Sequence, residues 1–270
     1  MRIASLGHAL FAITMIGLGV VGMLNRDLMS VWSPVPGTGL AHELLVYLSI
    51  GVSLISGIGL LVRRTAAMAA RLLFVALLFW MLLFRLPNFF HAPPFEACWS
   101  VFPLVVMLAA AMVLYVWFAS AWDRKYLPSL SSQSGLRIAR ILYGFSLIFF
   151  GLAHFIDMKD TLSLIPDWLP GHLFWAYFTG CTFIAAGTAV LIGLCARLAA
   201  VLSALQIASF LLLVWIPIVA AGSKVPFQWS ETILNTALLA GAWMVADSYK
   251  STPWFANGRF QDPGVEFGCK

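Results

Sequence analysis

Charged side chains are scarce in this sequence. Of its 270 residues, 10% are Asp, Glu, Lys or Arg, whereas an ordinary soluble domain carries roughly 25%. Hydrophobic residues make up 61% of the chain and the mean hydropathy is +0.93. Because so little polar surface cannot cover a water-soluble fold, we expect most side chains to face lipid or other helices.

Several common functional motifs are also missing. The cysteines Cys98, Cys181, Cys195 and Cys269 form no Cys-x-x-Cys pair, so the sequence gives no support for a dithiol redox centre. The histidines His42, His91, His154 and His172 lack the i, i+3 or i, i+4 spacing of preorganised metal ligands, and we expect no metal site. The 16 basic residues form no patch, so nucleic acid is not an expected partner.

The chain instead contains long apolar runs. Eight of them approach the roughly 20 residues that a helix needs to cross a bilayer. They cover residues 4–24, 44–62, 65–84, 98–119, 138–156, 172–194, 198–221 and 230–246. The runs are continuous and rich in Leu and Ala rather than alternating, which favours helices over a barrel of strands. We therefore predict an all-α polytopic membrane protein with eight transmembrane helices, surrounded by membrane lipids.

The second half of the sequence repeats the first. An offset of 130 positions aligns His42 with His172, Tyr47 with Tyr177, Gly57 with Gly187, Pro87 with Pro217 and Trp99 with Trp229. At the first helix, Phe11, Gly17 and Leu18 are aligned with Phe145, Gly151 and Leu152, which places Val20 opposite His154. Because the first run has an equivalent deep in the chain, we interpret it as a helix of the fold and not as a cleaved signal peptide.

The repeat predicts the domain organisation. Four helices in each repeat give both repeats the same orientation, so the fold class is two parallel four-helix units. The predicted boundaries are a first repeat at residues 1–122, a polar linker at 123–137, a second repeat at 138–247 and a polar tail at 248–270.

Basic residues predict the orientation of the helices. If the N-terminus is cytoplasmic, twelve Lys and Arg residues lie at cytoplasmic helix ends, and only Arg26, Arg85, Lys159 and Lys224 lie on the outer side. Cytoplasmic loops of membrane proteins retain positive charge, so we expect both termini to be cytoplasmic.

A glycine pattern in the first helix needs a separate interpretation. Gly17, Gly19 and Gly22 match the spacing of a dinucleotide-binding loop, but they lie inside an apolar helix with no preceding strand. We interpret them as small residues that allow close helix packing.

Short motifs in both halves resemble the DoxX family, a bacterial four-helix membrane module. The resemblance rests on Gly151-Leu-Ala-His154-Phe155, on the Gly-rich second helices that end near Arg64 and Arg197, on Pro87 and Pro217, and on the segment from Glu231 to Gly241. It covers roughly residues 5–120 and 136–247. The first half departs from the pattern, because Val20 replaces His154 and Val101 replaces Glu231.

The resemblance implies a location in the bacterial inner membrane and a function. Some DoxX family members resemble subunits of membrane oxidoreductases such as thiosulfate:quinone oxidoreductase. The expectation is therefore an accessory subunit of a redox system, with a redox-protein partner, no intrinsic cofactor and quinone as a possible ligand. Two alternatives stay open: a transporter of a small lipophilic solute, and a membrane assembly protein without a pocket.

Polar residues near the outer ends of the second repeat form the predicted ligand site. The candidates are His154, Asp157, His172, Tyr177, Glu231 and Asn235. Ionisable groups seldom face lipid, so we expect them to converge on an outward-facing pocket. There, His154 would act as a proton donor and a carboxylate as the acceptor for a ligand oxygen.

Overall fold

The chain folds into a bundle of long helices. The computed structural model describes residues 4–33, 35, 39–90 and 94–256, and within these ranges it contains helices and turns without strands. The helices are α1 (Leu6–Asn25), α2 (Leu40–Leu61), α3 (Ala66–Trp80), α4 (Pro94–Trp117), α5 (Ala121–Tyr126), α6 (Gln133–Ile156), α7 (Met158–Leu164), α8 (His172–Ile192), α9 (Ala196–Phe210), α10 (Ile216–Ala220) and α11 (Pro226–Asp247).

Seven helices in the described part of the chain are long and apolar enough to cross a membrane. This agrees with the prediction of an all-α membrane protein. The eighth predicted run lies in α11, which is 22 residues long but is not one of the seven. Gln228, Glu231 and Asn235 in its first half lower its hydropathy.

Two of the predicted runs are interrupted helices. After α3 the backbone forms a π turn at Met81–Arg85 and then a 3-10 turn at Leu86–Phe90. A second π turn, Leu211–Trp215, joins α9 to α10. Residues in the two π turns are 130 positions apart in the sequence. Single π turns inside helices are frequent at functional sites, so they direct attention to this end of the bundle.

The same contact pattern occurs in both halves of the chain. Helices α1, α2, α3 and α4 each contact the next, and so do α6, α8, α9 and α11. Between the halves, α4 contacts α6, α11 contacts α1, and α4 contacts α11. The centre of the bundle is therefore built by α4 and α11, and the residues of α4 from Val106 to Leu114 are buried.

The bundle has two ends, which we name by the chain segments they carry. At the terminal face α1, α3, α6 and α9 begin, and α2, α4, α8 and α11 end. At the loop face the direction is reversed. Contacts join both halves at each end: the Gly7 amide donates to Asp247 at the terminal face, and Ser30 bonds to Ser230 at the loop face.

The predicted linker between the halves is largely ordered secondary structure. Residues 121–126 form α5 and α6 begins at Gln133. The buried carboxylate of Asp123 accepts two hydrogen bonds from the Arg71 guanidinium, at 2.9 and 2.8 Å, and further bonds from Ser120 and Tyr115. Burial raises the pKa of Asp123, but the hydrogen bonds from Arg71 and Ser120 outweigh it and lower that pKa to about 2.

The first part of the predicted polar tail packs on the bundle. Arg140 donates hydrogen bonds to Ser248, whose neighbour Tyr249 is buried. Arg197 donates to the carbonyl oxygen of Thr252 at 3.0 Å. Residues 257–270, including Cys269, lie outside the described residues.

Candidate functional site at the loop face

His154 lies in the last turn of α6, where a glycine allows two helices to come close. A Cβ atom added to Gly151 would lie 2.6 Å from the carbonyl oxygen of Gly180 in α8. Because such a contact is impossible for a larger residue, glycine at both positions allows α6 and α8 to approach closely, which places His154 beside α8.

Aromatic rings surround the His154 imidazole. The centroid of its ring is 5.6 Å from that of Phe183 in α8 and 5.9 Å from that of Phe210 at the end of α9. Phe183 and Phe210 also contact each other edge to face, at 5.8 Å. Three helices thus contribute to one group of rings, which we call the His154 cluster: His154, Phe183 and Phe210. Phe210 is the residue immediately before the second π turn.

The hydrogen bonds of His154 determine which nitrogen carries the proton in the neutral ring. Its Nδ1 lies 2.7 Å from the Phe150 carbonyl oxygen. Since a carbonyl oxygen only accepts, Nδ1 must donate, and the neutral imidazole carries its lone pair on Nε2. None of the described residues forms a hydrogen bond with Nε2. The cluster therefore offers one polar atom within an apolar, aromatic surrounding.

Asp157 does not pair with His154. Helix α6 ends at Ile156, and the backbone of Asp157 leaves the helical conformation. Its carboxylate instead accepts a long hydrogen bond, 3.4 Å, from the indole of Trp99 in α4. A spacing of three residues would place Asp157 on the same helix face as His154, but α6 ends one residue too early for the pair to form.

His172 and Tyr177 lie on α8, away from the rings of the cluster. His172 is the first residue of α8, is half-buried, and forms no hydrogen bond with a described residue. Tyr177 is 50% exposed and its ring contacts Phe155. Tyr47, 130 positions earlier, is similarly 59% exposed. The two tyrosines share an outward orientation on the surface of the bundle.

Glu231 and Asn235 lie one turn apart in the first half of α11 and are both half-buried. The Asn235 amide donates to the backbone carbonyl oxygen of Glu231 at 3.0 Å. In the described part of the chain, no hydrogen bond, ion pair or ring contact joins Glu231 or Asn235 to His154. Convergence of all six candidates on one pocket stays a prediction.

A different set of residues fills the corresponding region of the first half. Trp32, in the loop after α1, is 1% exposed; its indole donates to Ser53 in α2 and contacts Trp80 at the end of α3. Ser53 and Trp80 lie 130 positions before Phe183 and Phe210. The Trp32 ring thus contacts the same two positions as the His154 ring.

Helix packing also shows which residues of α1 correspond to which residues of α6 in the repeat. A Cβ atom at Gly19 would contact Leu54 and one at Gly151 would contact Ile184, which lies 130 positions after Leu54. Gly19 and Gly151 are 132 positions apart. In this register Gly22, and not Val20, corresponds to His154, so the residue alignment of the first helix was wrong by two positions.

The same helix contacts explain part of the glycine pattern of α1. Added Cβ atoms at Gly19 and Gly22 would meet Leu54 and Ile50 of α2, while one at Gly17 would meet nothing within 4 Å. Helix packing therefore explains Gly19 and Gly22 but not Gly17.

The sequence interpretation missed Trp32 and Arg85. In the sequence, Trp32 resembles any interfacial tryptophan and Arg85 resembles a basic residue of an outer loop, yet both side chains are 1% exposed. A signal was available for Arg85, since the residues from Phe79 to Phe84 and Leu86 are all apolar.

No cluster of metal ligands occurs among the described residues. No three His, Cys, Asp or Glu side chains come together there, and Cys98, Cys181 and Cys195 are free thiols. His91 lies outside the described residues.

A separate cavity of about 210 Å³ lies at the terminal face. It is lined by Arg197, Val201, Trp243, Ala246, Asp247, Lys250 and Trp254. Lys250 forms an ion pair with Asp247 at 3.1 Å, and the Arg197 guanidinium covers the Trp254 ring. These charged groups already have partners, which makes the His154 cluster the better candidate for a ligand site.

Compared with protein-family models, with curated proteins and with solved structures, the chain matches none.

Proposed function

We propose that this membrane protein binds a lipophilic molecule with a polar ring, of the quinone class, beside His154. The observation that carries the proposal is the His154 imidazole, whose Nδ1 is held by the Phe150 carbonyl oxygen while Nε2 has no partner among the described residues. Phe183 and Phe210 supply aromatic surface for a flat ring.

The chemistry of such a ligand fits the two forms of the imidazole. In the neutral ring, Nε2 accepts a hydrogen bond from a quinol hydroxyl group. In the protonated ring, Nε2 donates to a quinone carbonyl oxygen. A ligand that changes between these states by gaining or losing two electrons and two protons would find a matching partner in each state, with the redox partner supplying or removing the electrons.

The wider context of the proposal comes from the sequence. We place the chain with the DoxX-like proteins, as eight transmembrane helices in two parallel repeats, in a bacterial inner membrane with both termini cytoplasmic. Matching contacts of α1 to α4 and of α6, α8, α9 and α11 support the repeat, as do the two π turns 130 positions apart. In this orientation the His154 cluster lies toward the outer leaflet.

A titration with a short-chain quinone tests the proposal. The full chain, purified in a neutral detergent, is titrated with decylubiquinone while tryptophan fluorescence is recorded. We expect saturable quenching, with an affinity at least about tenfold lower in His154→Ala, which corresponds to about 1.4 kcal/mol. His154→Gln retains a hydrogen-bonding group and should bind more tightly than His154→Ala.

One histidine variant serves as a control and a second tests the extent of the site. His42→Ala removes a half-buried histidine of the loop face outside the cluster, and should leave the affinity unchanged. His172→Ala tests whether the ligand reaches α8 beyond Phe183. Unsaturable quenching, or equal affinities of His154→Ala and the unmodified chain, would refute the proposal and favour a pocketless assembly protein.

A further inference from the structure

Arg85 is the most deeply buried cation among the described residues. It is the last residue of the first π turn and its side chain is 1% exposed. It lies at the end of a 20-residue apolar segment, Ala66–Arg85, that is long enough to cross a membrane. This position is close to the loop face, but in the first half of the chain, away from the His154 cluster.

Most of the hydrogen-bonding capacity of Arg85 is unused. Its Nη2 donates to the Val31 carbonyl oxygen at 2.8 Å. Its Nε and Nη1 atoms are buried and have no hydrogen-bond partner in the part of the chain that the structure describes. Among the described residues, no carboxylate forms an ion pair with it and no aromatic ring lies under its guanidinium.

An unpaired guanidinium in this location is energetically costly. Removing a cation from water costs several kcal/mol even after relaxation of the protein. Charged residues within membrane segments accordingly pair with an opposite charge or with backbone carbonyl oxygens, or face a polar cavity. The Val31 carbonyl oxygen is one such partner, but it accepts from Nη2 alone and supplies no compensating charge, which leaves Nε and Nη1 for an anion.

The geometry of the remaining N–H groups selects the type of anion. A guanidinium has two edges that present parallel pairs of N–H groups, one formed by Nε and Nη2 and the other by Nη1 and Nη2. Val31 accepts one Nη2 proton, and whichever proton it accepts, one complete edge remains. A complete edge binds two oxygens of one phosphate or carboxylate group.

The surface next to Arg85 is suited to an acyl chain. Phe79, Leu82, Leu83 and Leu86 are all exposed on the outside of the bundle. On the inner side, the Trp80 indole donates to the carbonyl oxygen of Trp32, the residue after Val31, at 2.8 Å. The Arg85 nitrogens are themselves buried, so an oxyanion reaches them only after the surrounding side chains move, and its hydrocarbon tail would then lie on this exposed apolar surface.

We propose that Arg85 is the oxyanion-binding residue of a lipid site at the loop face, which holds the phosphate of an anionic lipid. The ligand chemistry is an oxyanion bound by one guanidinium edge, and the exposed apolar residues of the first π turn contact the acyl chain. This site is independent of quinone binding at His154.

Thermal unfolding with two matched lipids tests this site. The full chain in a neutral detergent is mixed with dioleoylphosphatidic acid or with dioleoylglycerol, which has the same chains and no phosphate. We expect the phosphatidic acid to raise the melting temperature by about 5 °C relative to dioleoylglycerol. Inorganic phosphate alone forms a third arm. A shift with the lipid only identifies a lipid site, and an equal shift with phosphate identifies a site for the free anion.

Two arginine variants make the result specific. Arg85→Met should abolish the shift, and its melting temperature in dioleoylglycerol should equal or exceed that of the unmodified chain, because an unpaired buried charge has been removed. Arg26→Met, which removes an exposed cation of the same face, should keep the shift. The proposal is overturned if neither oxyanion raises the melting temperature or if Arg85→Met keeps the shift. It is also overturned if Arg85→Met melts lower than the unmodified chain in dioleoylglycerol, since Arg85 would then be a structural residue.

Discussion

Arg85 and Trp215 end the two π turns, and both side chains are buried, but one is a guanidinium and the other is an indole. The difference extends to their surroundings. In the first half Trp32 fills the space between Ser53 and Trp80, and in the second half His154 contacts Phe183 and Phe210. Similar backbones thus enclose different side chains: a cation near the packed indoles of Trp32 and Trp80 in one half, and in the other an imidazole whose Nε2 has no partner among the described residues.

The residues that hold the bundle together differ from those that are available to a ligand. Trp32 makes two hydrogen bonds through its indole and its carbonyl oxygen and is almost completely buried. His154 is half-buried and uses one ring nitrogen. Trp32, with Ser53 and Trp80, therefore contributes mainly to stability, and the His154 cluster contributes mainly to binding. Substitutions in the first group should lower stability more than ligand affinity, and substitutions in the His154 cluster should do the reverse.

The largest effect is expected from Trp32→Ala. Removing the indole leaves a cavity between α2 and α3 and an unpaired Ser53 hydroxyl group, and large-to-small substitutions of this kind cost about 3–5 kcal/mol. Thermal or denaturant unfolding in detergent should show the loss. The matched variant Trp168→Ala, at an exposed position of the same face, should change little. If the two variants unfold alike, Trp32 with Ser53 and Trp80 is not a structural centre.

A smaller effect is expected at the terminal face, where Arg71 and Asp123 of the first half form an ion pair. The pKa of Asp123 is about 2 in the folded chain, against an ordinary value of 3.8. Its charged form therefore contributes about 2 kcal/mol above pH 4, and this contribution is lost as the pH falls from 4 to 2.

Asp123→Asn measures that contribution. The difference in unfolding free energy between the unmodified chain and Asp123→Asn should be largest at pH 5 and should shrink toward pH 2. Asp160→Asn, at an exposed position, is the control and should show no such trend. A difference that is independent of pH would mean that the charge of Asp123 does not stabilise the terminal face.

Next in size is the effect of a methyl group at the helix contact of the first half. Gly19→Ala forces the added Cβ against the side chain of Leu54 and to 3.1 Å from its backbone nitrogen, and should cost about 1.5 kcal/mol, because the leucine side chain can shift but the backbone yields less. Gly17→Ala meets no atom within 4 Å and should be neutral or slightly stabilising, since alanine favours a helix. Equal stabilities of the two variants would contradict the register between α1 and α2.

The smallest effects are expected at Tyr47 and Tyr177, the recurring tyrosines of α2 and α8. Both are half exposed, so Tyr47→Phe and Tyr177→Phe should each change the unfolding free energy by less than about 0.5 kcal/mol. Quinone affinity should also be unchanged in Tyr177→Phe. A weaker affinity there would extend the binding site across α8 and restore the larger pocket that the sequence suggests.

The sequence by itself determined the class of the protein and the approximate helices. Runs of apolar residues are sufficient for this, because helix length and hydropathy are properties of a continuous segment and depend little on distant residues. The six candidate residues lie in or directly after the halves of α6, α8 and α11 that are nearer the loop face, while their convergence on one pocket stays a prediction. Which residues come together at that end could not be determined in the same way.

Only the tertiary structure decided the contacts of each polar residue. The end of α6 at Ile156 separates Asp157 from His154, and the burial of Trp32 depends on where a loop folds back between α2 and α3. Arg85 has the sequence position of an outer loop residue, yet the π turn directs its side chain to the Val31 carbonyl oxygen. A local segment carries no information on these distances, because the orientation of each side chain is fixed by close packing against helices that are distant in the sequence.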